Sequence, residues 1–117
     1  MHDPAGFTVF CFCAAWCRTC DAYVRVFETL AHDRRAQSRW VWLDIEEHAD
    51  VIGDVEVENF PTLLIADARS VCFFGPVLPQ AGVAARLFDS VTKGQGTQVL
   101  DPEVEALRQR LFAQVGP

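Results

Sequence analysis

The sequence predicts an α/β domain, a three-layer sandwich around a mixed central sheet, in the order β-α-β-α-β-β-α with an extra C-terminal helix. Three observations predict it. An unbroken β-prone apolar run from Thr8 to Ala14 leads directly into a helical apolar stripe, and a second apolar run, Trp40 to Ile45, follows that helix. Strand, helix and strand in succession make a parallel pair with a right-handed crossover. Further on, Thr62–Ala66 and Val71–Phe74 are separated only by Asp67-Ala68-Arg69-Ser70, as in an antiparallel hairpin. One parallel pair and one antiparallel pair make the sheet mixed.

Each element has its own local reason. Thr8–Ala14 is apolar throughout rather than alternating, as befits a central strand covered on both faces. After Cys17 the period changes: Tyr23, Phe27, Leu30 and Ala31 fall on one stripe of a helix reaching about Asp33. Trp40–Ile45 reads as a second buried strand, and a short helix is expected over about Ala49–Val55. Gly75-Pro76 is expected to end the second hairpin strand, and Val83, Leu87, Phe88 and Val91 mark a helix that stops before Gly94. Residues 94–100 read as a linker. Asp101-Pro102-Glu103 is a helix-start signature, and Val104, Leu107, Leu111 and Val115 share a face of a helix over about 102–114.

At 117 residues the chain has room for one domain, here 1–117 with a core over about 7–93, and can bury that core without disulfide staples. Sixteen acidic against ten basic residues give a net charge of -6, so neither nucleic acid nor an anionic membrane surface is an expected partner. No apolar run is long enough to span a bilayer. The residues before Phe7 carry no basic n-region, so a cytoplasmic location is expected. Five cysteines, at 11, 13, 17, 20 and 72, are odd in number and crowded toward one end, unlike a secreted disulfide scaffold.

Chemistry is expected where the first strand meets the helix, at Trp16-Cys17-Arg18-Thr19-Cys20. A thiolate attacks disulfides, and the unpaired N–H groups of a helix N-terminus favour an anion there. Cys17 is therefore the expected nucleophile. Two intervening residues in a first helical turn return Cys20 beside it, close enough to displace a partner from a mixed disulfide. A positive Arg18 next to Cys17 favours the same ionisation. Four sulfurs in ten residues also invite a metal reading, but a strand holding Cys11 and Cys13 away from the helix start disfavours a tetrahedral set. Cys11, Cys13 and Cys72 are first read as small buried apolar residues.

These residues resemble the thioredoxin family, whose pattern is a strand, Trp-Cys-x-x-Cys, a helix, a second strand, and then an apolar residue, a cis proline and Thr. Phe60-Pro61-Thr62 matches that last element, and the resemblance runs over about Phe7–Lys93. It implies a thioredoxin-like sandwich in which Pro61 is cis and packs against the cysteine pair. It also implies a groove formed by Trp16, Arg18, Thr19, Phe60, Pro61 and Thr62, where backbone pairs with an extended substrate peptide. The chain departs from the family in four places. Six residues before Cys17 stands Cys11, where the family carries a buried Asp that moves the resolving thiol's proton. Nineteen residues before Pro61 stands Trp42, where the family carries that acid's Lys partner. Losing both charges together avoids a lone buried charge, and makes deprotonation of Cys20 slower or dependent on water. Arg18-Thr19 replaces the usual Gly-Pro between the cysteines. The family's N-terminal strand and helix do not fit into six residues, so the C-terminal helix is expected to cover the sheet face they would occupy.

The resulting expectation is a monomeric thiol–disulfide oxidoreductase that reduces protein disulfides through Cys17 and Cys20, recharged by an external thiol reductant or reductase. It needs no organic cofactor and no metal. Geometry implied by the family puts Cys11 beneath Cys20, as a proton-handling group or third thiol. The competing expectation is a redox-inert or weakly active interaction module using the same groove.

Overall fold

The computed structural model describes residues 6–94 and 98–115. The expectations drawn from the first six residues and from the linker at 94–100 fall largely on 1–5 and 95–97, which lie outside the described residues.

The chain runs β1 (Phe7–Cys13), α1 (Arg18–Asp33), β2 (Ser38–Asp44), α2 (Ala49–Ile52), β3 (Thr62–Ala66), β4 (Val71–Pro76), α3 (Ala81–Thr92) and α4 (Pro102–Val115). The strands form one sheet in the order β2-β1-β3-β4. β1 pairs parallel with β2 and antiparallel with β3, and β3 pairs antiparallel with β4. This is the predicted mixed sheet, with β1 at its centre.

Strand alternation sorts the core into two layers. Val9, Cys11 and Cys13 of β1 and Leu63 and Ile65 of β3 face α1 and α3, meeting Cys20, Tyr23, Phe27, Leu30, Ala84, Phe88 and Val91. Phe10 and Phe12, with Leu64 and Ala66, face the other way, against Ile52 of α2 and Val104, Leu107 and Leu111 of α4. The C-terminal helix thus completes the second helical layer. Among the described residues no helix is long and apolar enough to cross a membrane.

Three elements differ from expectation for physical reasons. β2 is an edge strand, and four of its central residues are only half-buried, because nothing among the described residues pairs with its outer side. β4 continues through Gly75 and Pro76, with Pro76 opposite Thr62. A proline is tolerated there because β4 lies at the sheet edge, where a missing donor leaves no ladder bond unmade. α2 has one turn only and stops at Gly53, whose φ of 63° takes the backbone out of helical geometry. A side chain at that position would also press on the Arg110 guanidinium, 3.2 Å from where its Cβ would lie.

Two arginines on α4, Arg108 buried and Arg110 half-buried, escaped the apolar pattern. Arg108 lies on the inner face, held by Glu105 through Nε at 2.9 Å, and its Nη1 donates to the Ala68 carbonyl at 3.1 Å in the β3–β4 turn. That turn is itself closed by Asp67, whose Oδ1 accepts from the N–H groups of Arg69 and Ser70, each at 2.8 Å. Arg110 donates from Nε to the Val51 carbonyl at 2.6 Å and from Nη2 to Ile52 at 3.1 Å, satisfying the carbonyl end of α2. A short antiparallel bridge between Val71 and Val99 joins the approach to α4 to β4.

Candidate functional site

The site forms where β1 ends and α1 begins. The chain turns through Ala14, Ala15 and Trp16, and the Cys17 N–H donates back to the Ala14 carbonyl at 3.0 Å, closing the turn. Cys17 takes the N-cap position with extended backbone (φ -90°, ψ 117°), and its carbonyl accepts the Asp21 N–H at 3.1 Å as the first helical bond. No side chain caps this end, so the first-turn N–H groups are free of an internal side-chain acceptor. Cys17 is a free, half-buried cysteine. Arg18 and Thr19 are exposed beside it.

Cys20, three residues on, points inward and is only 2% exposed. Its sulfur is bonded to Cys13, the last residue of β1; the two Cα atoms are 5.8 Å apart, within the range a disulfide spans. This corrects two expectations. The sulfur that meets Cys20 is that of Cys13, not of Cys11, and Cys13 is a bonded partner rather than inert packing. Cys11 lies two residues further back along the strand, fully buried. Burial pushes its thiol from 9.0 up to about 12, so at neutral pH it stays protonated and cannot take up the proton of Cys20 as a base. Burial, and then the neighbouring Cys11, push the Tyr23 hydroxyl up to about 12 as well.

The strand register places Cys11 opposite Trp42. Where the family carries a cross-strand charge pair, this chain therefore has a thiol and an indole, and the apolar replacement is mutual. Trp42 packs edge-on to Phe27 at 5.2 Å, and Trp40 packs on Phe27 and on Phe88, at 5.7 and 5.5 Å between centroids, so both tryptophans serve the core layer beneath the site. A cavity of about 250 Å³ opens on the side of Cys20, lined by Ala14, Trp42, Asp44, Glu47 and His48 among others.

The facing wall comes from the loop before β3. The Phe60–Pro61 peptide bond is cis, Pro61 is fully buried, and its carbonyl accepts the Val77 N–H at 3.0 Å. Thr62 is buried and its hydroxyl donates to the Asn59 carbonyl. Phe60 reaches across to Trp16, edge to face at 5.7 Å between centroids and 84° between planes. Trp16, next to Cys17 in the chain, is 65% exposed, so the pair of rings forms an apolar rim that remains open to solvent. Of the residues singled out in the sequence, Trp16, Cys17, Cys20 and Phe60 pack at one end of the sheet, with Pro61 and Thr62 in the loop behind Phe60. Cys72 is remote on β4; burial and the Asp67 carboxylate hold its thiol above the ordinary range.

A mixed-sheet α/β domain with a Cys-x-x-Cys pair opening a helix, faced by a cis-proline loop, defines a class of protein that handles thiols and disulfides. The thioredoxin sequence profile matches residues 2–73, and the chain belongs to the thioredoxin family of thiol–disulfide oxidoreductases. Among solved structures it is similar to chloroplastic thioredoxin z, with a TM-score of 0.66, 21% identity, and coverage of 77% of this chain and 81% of that one. It is also similar to the germline-specific thioredoxin Deadhead of Drosophila melanogaster, with TM-score 0.63, 15% identity, and 78% and 83% coverage. The thioredoxin of Fasciola hepatica gives TM-score 0.63 at 16% identity, with 78% and 83% coverage. At these identities the likeness is one of fold. No curated protein sequence matches the chain.

Proposed function

We propose that the protein reduces disulfide bonds in other proteins. Cys17 attacks a substrate disulfide and forms a mixed disulfide with one substrate sulfur, releasing the other as a thiol. Cys20 then displaces the bound sulfur, and an external thiol reductant or reductase restores the pair. The observation that carries this reading is a free, half-buried Cys17 at a helix start with no side-chain cap, next in the chain to the exposed Trp16. An extended peptide laid along Trp16 and Phe60, beside Pro61, brings its disulfide to that sulfur. With no ionised acid at position 11, the proton of Cys20 leaves through water in the cavity beside Trp42, Asp44 and Glu47. We place the protein in the cytoplasm as a monomer acting on proteins, not on nucleic acid or membranes, in keeping with its net charge of -6.

Insulin reduction driven by dithiothreitol tests this. The wild type is expected to precipitate insulin well ahead of buffer, and Cys17→Ser to fall to the buffer rate. A wild type equal to buffer would instead favour an interaction module built on the Trp16–Phe60 rim, a reading supported by Cys20 being held by Cys13.

A further inference from the structure

We propose that Cys13 is a third redox-active cysteine, which takes Cys20 over from Cys17 and leaves an oxidised protein whose surface nucleophile is free. The proposal deepens the reductase reading and rests on it for the origin of the Cys17–Cys20 disulfide. Cys20 stands between two partners. Cys17 begins the helical turn that Cys20 lies in, and Cys13 ends the strand that leads to that turn, its carbonyl pinned by the Ile45 N–H at 2.9 Å. Only Ala14, Ala15 and Trp16 separate the two candidates, and the bond between the Cys17 N–H and the Ala14 carbonyl folds those residues into a tight turn. Cys13 already bonds Cys20, and Cys17 is the N-cap residue of the same helix, so exchange between the two partners asks for no change of fold.

The exchange balances within the chain. Reduction of a substrate leaves Cys17 bonded to Cys20 and the substrate as two thiols. Cys13 gives up its proton and attacks the Cys20 sulfur; the Cys13–Cys20 bond forms, the Cys17–Cys20 bond breaks, and Cys17 leaves as a thiolate that takes the proton. One disulfide is present before and after, so no oxidant or reductant is consumed. The two end states differ in exposure. Cys13 and Cys20 are 1% and 2% exposed, so their disulfide is shielded from outside thiols, whereas Cys17 is only half-buried. A chain in this state attacks a substrate disulfide but has no resolving thiol. The mixed disulfide then lasts until another thiol of the same substrate displaces Cys17, which rearranges the substrate's disulfides instead of reducing them.

The test is to oxidise the folded protein with diamide, alkylate it in denaturant with iodoacetamide, and digest it with trypsin without reduction. Cys11, Cys13 and Cys17 fall on the peptide ending at Arg18, and Cys20 on the peptide Thr19–Arg25, so any link to Cys20 appears as a joined pair. The wild type is expected to show this pair with Cys17 alkylated, and Cys17→Ser to keep it. In Cys13→Ala, Cys20 is expected to link to Cys17, which then escapes alkylation. A wild type with Cys17 protected and Cys13 alkylated, or a Cys13→Ala protein in which Cys20 does not link to Cys17, would overturn the proposal. The link is read by mass and not by turnover. Insulin reduction without a Cys13–Cys20 link would sink the relay alone, and the link without insulin reduction would sink the reductase reading alone.

Discussion

The two faces of the sheet start from the same alternating strands and end in different uses. On one face, β1 and β3 present Val9, Cys11, Cys13, Leu63 and Ile65 to α1 and α3, and the layer is filled by aromatic rings and sulfur. Arg34 leans over Phe88 there and reaches Asp89 at 3.5 Å, but the polar contacts are few. On the other face, Phe10, Phe12 and Leu64 meet α2 and α4, and arginines tie the helices down through main-chain carbonyls. The difference follows from where each helix begins. α1 starts at the end of the central strand, so its first turn sits beside the strand sulfur of Cys13. α4 lies beyond the segment that matches the family and is fastened to the sheet and to α2 by arginines. The first face gathers the cysteines and the second the arginine contacts that attach α4.

Substitutions break that contrast in graded steps. The largest expected effect on stability comes from Leu107→Ala, which removes a fully buried side chain from the attachment face. It should cost about 2–5 kcal/mol in urea unfolding, while alkylation of Cys17 in the folded fraction proceeds at the wild-type rate. A parallel loss of Cys17 reactivity would mean the two faces are not separable. Arg108→Met keeps the apolar stem but leaves the Asp67 and Ala68 carbonyls without their guanidinium donor. A loss of about 1–3 kcal/mol is expected, and no loss would show that α4 is held by its apolar face alone.

The reactive face has its own signature, in alkali. Cys11 and Tyr23 are both pushed up to about 12 by burial, so their neutral forms are favoured in the folded state. Between the ordinary values, 9.0 and 10.0, and that raised value, the unfolded chain has released protons that the folded chain retains. Stability is therefore full below pH 9 and declines as pH rises toward 12. Cys11→Ala should flatten the first part of that decline, and an unchanged curve would place the alkaline weakness elsewhere. The smallest effect is expected from Tyr23→Phe at neutral pH. The Tyr23 hydroxyl is buried with no hydrogen-bond partner among the described residues, so its removal should shift stability by less than about 1 kcal/mol, in either direction.

Much of this contrast is visible in the chain before folding. The apolar run of β1, the stripe Tyr23, Phe27 and Leu30, and the hairpin around Asp67–Ser70 carry their periods locally, and the sheet and its helices follow. Trp16-Cys17 and Phe60-Pro61 are likewise local motifs, and they meet at Trp16 and Phe60. Cys13 was not legible as the partner of Cys20. Period-two alternation sets Cys11 and Cys13 on one face but does not say which is level with the first turn of α1. Two strand residues are about 7 Å of travel, more than a disulfide bridges, so the choice depends on where the strand stops. Arg108 was not legible either, because its partners are carbonyls some forty residues away and a charged residue reads as solvated. Pro76 and the half-buried β2 depend on which strands lie at the sheet edges, and edges are a property of the assembled sheet.

The role of Cys17 is tested most directly by trapping. Cys20→Ser removes the sulfur that clears the mixed disulfide, so incubation with a disulfide-bonded protein should accumulate a covalent adduct on Cys17. Dithiothreitol should release that adduct, and adding Cys17→Ser should abolish it. No adduct, or one that persists in the double variant, would contradict attack by Cys17.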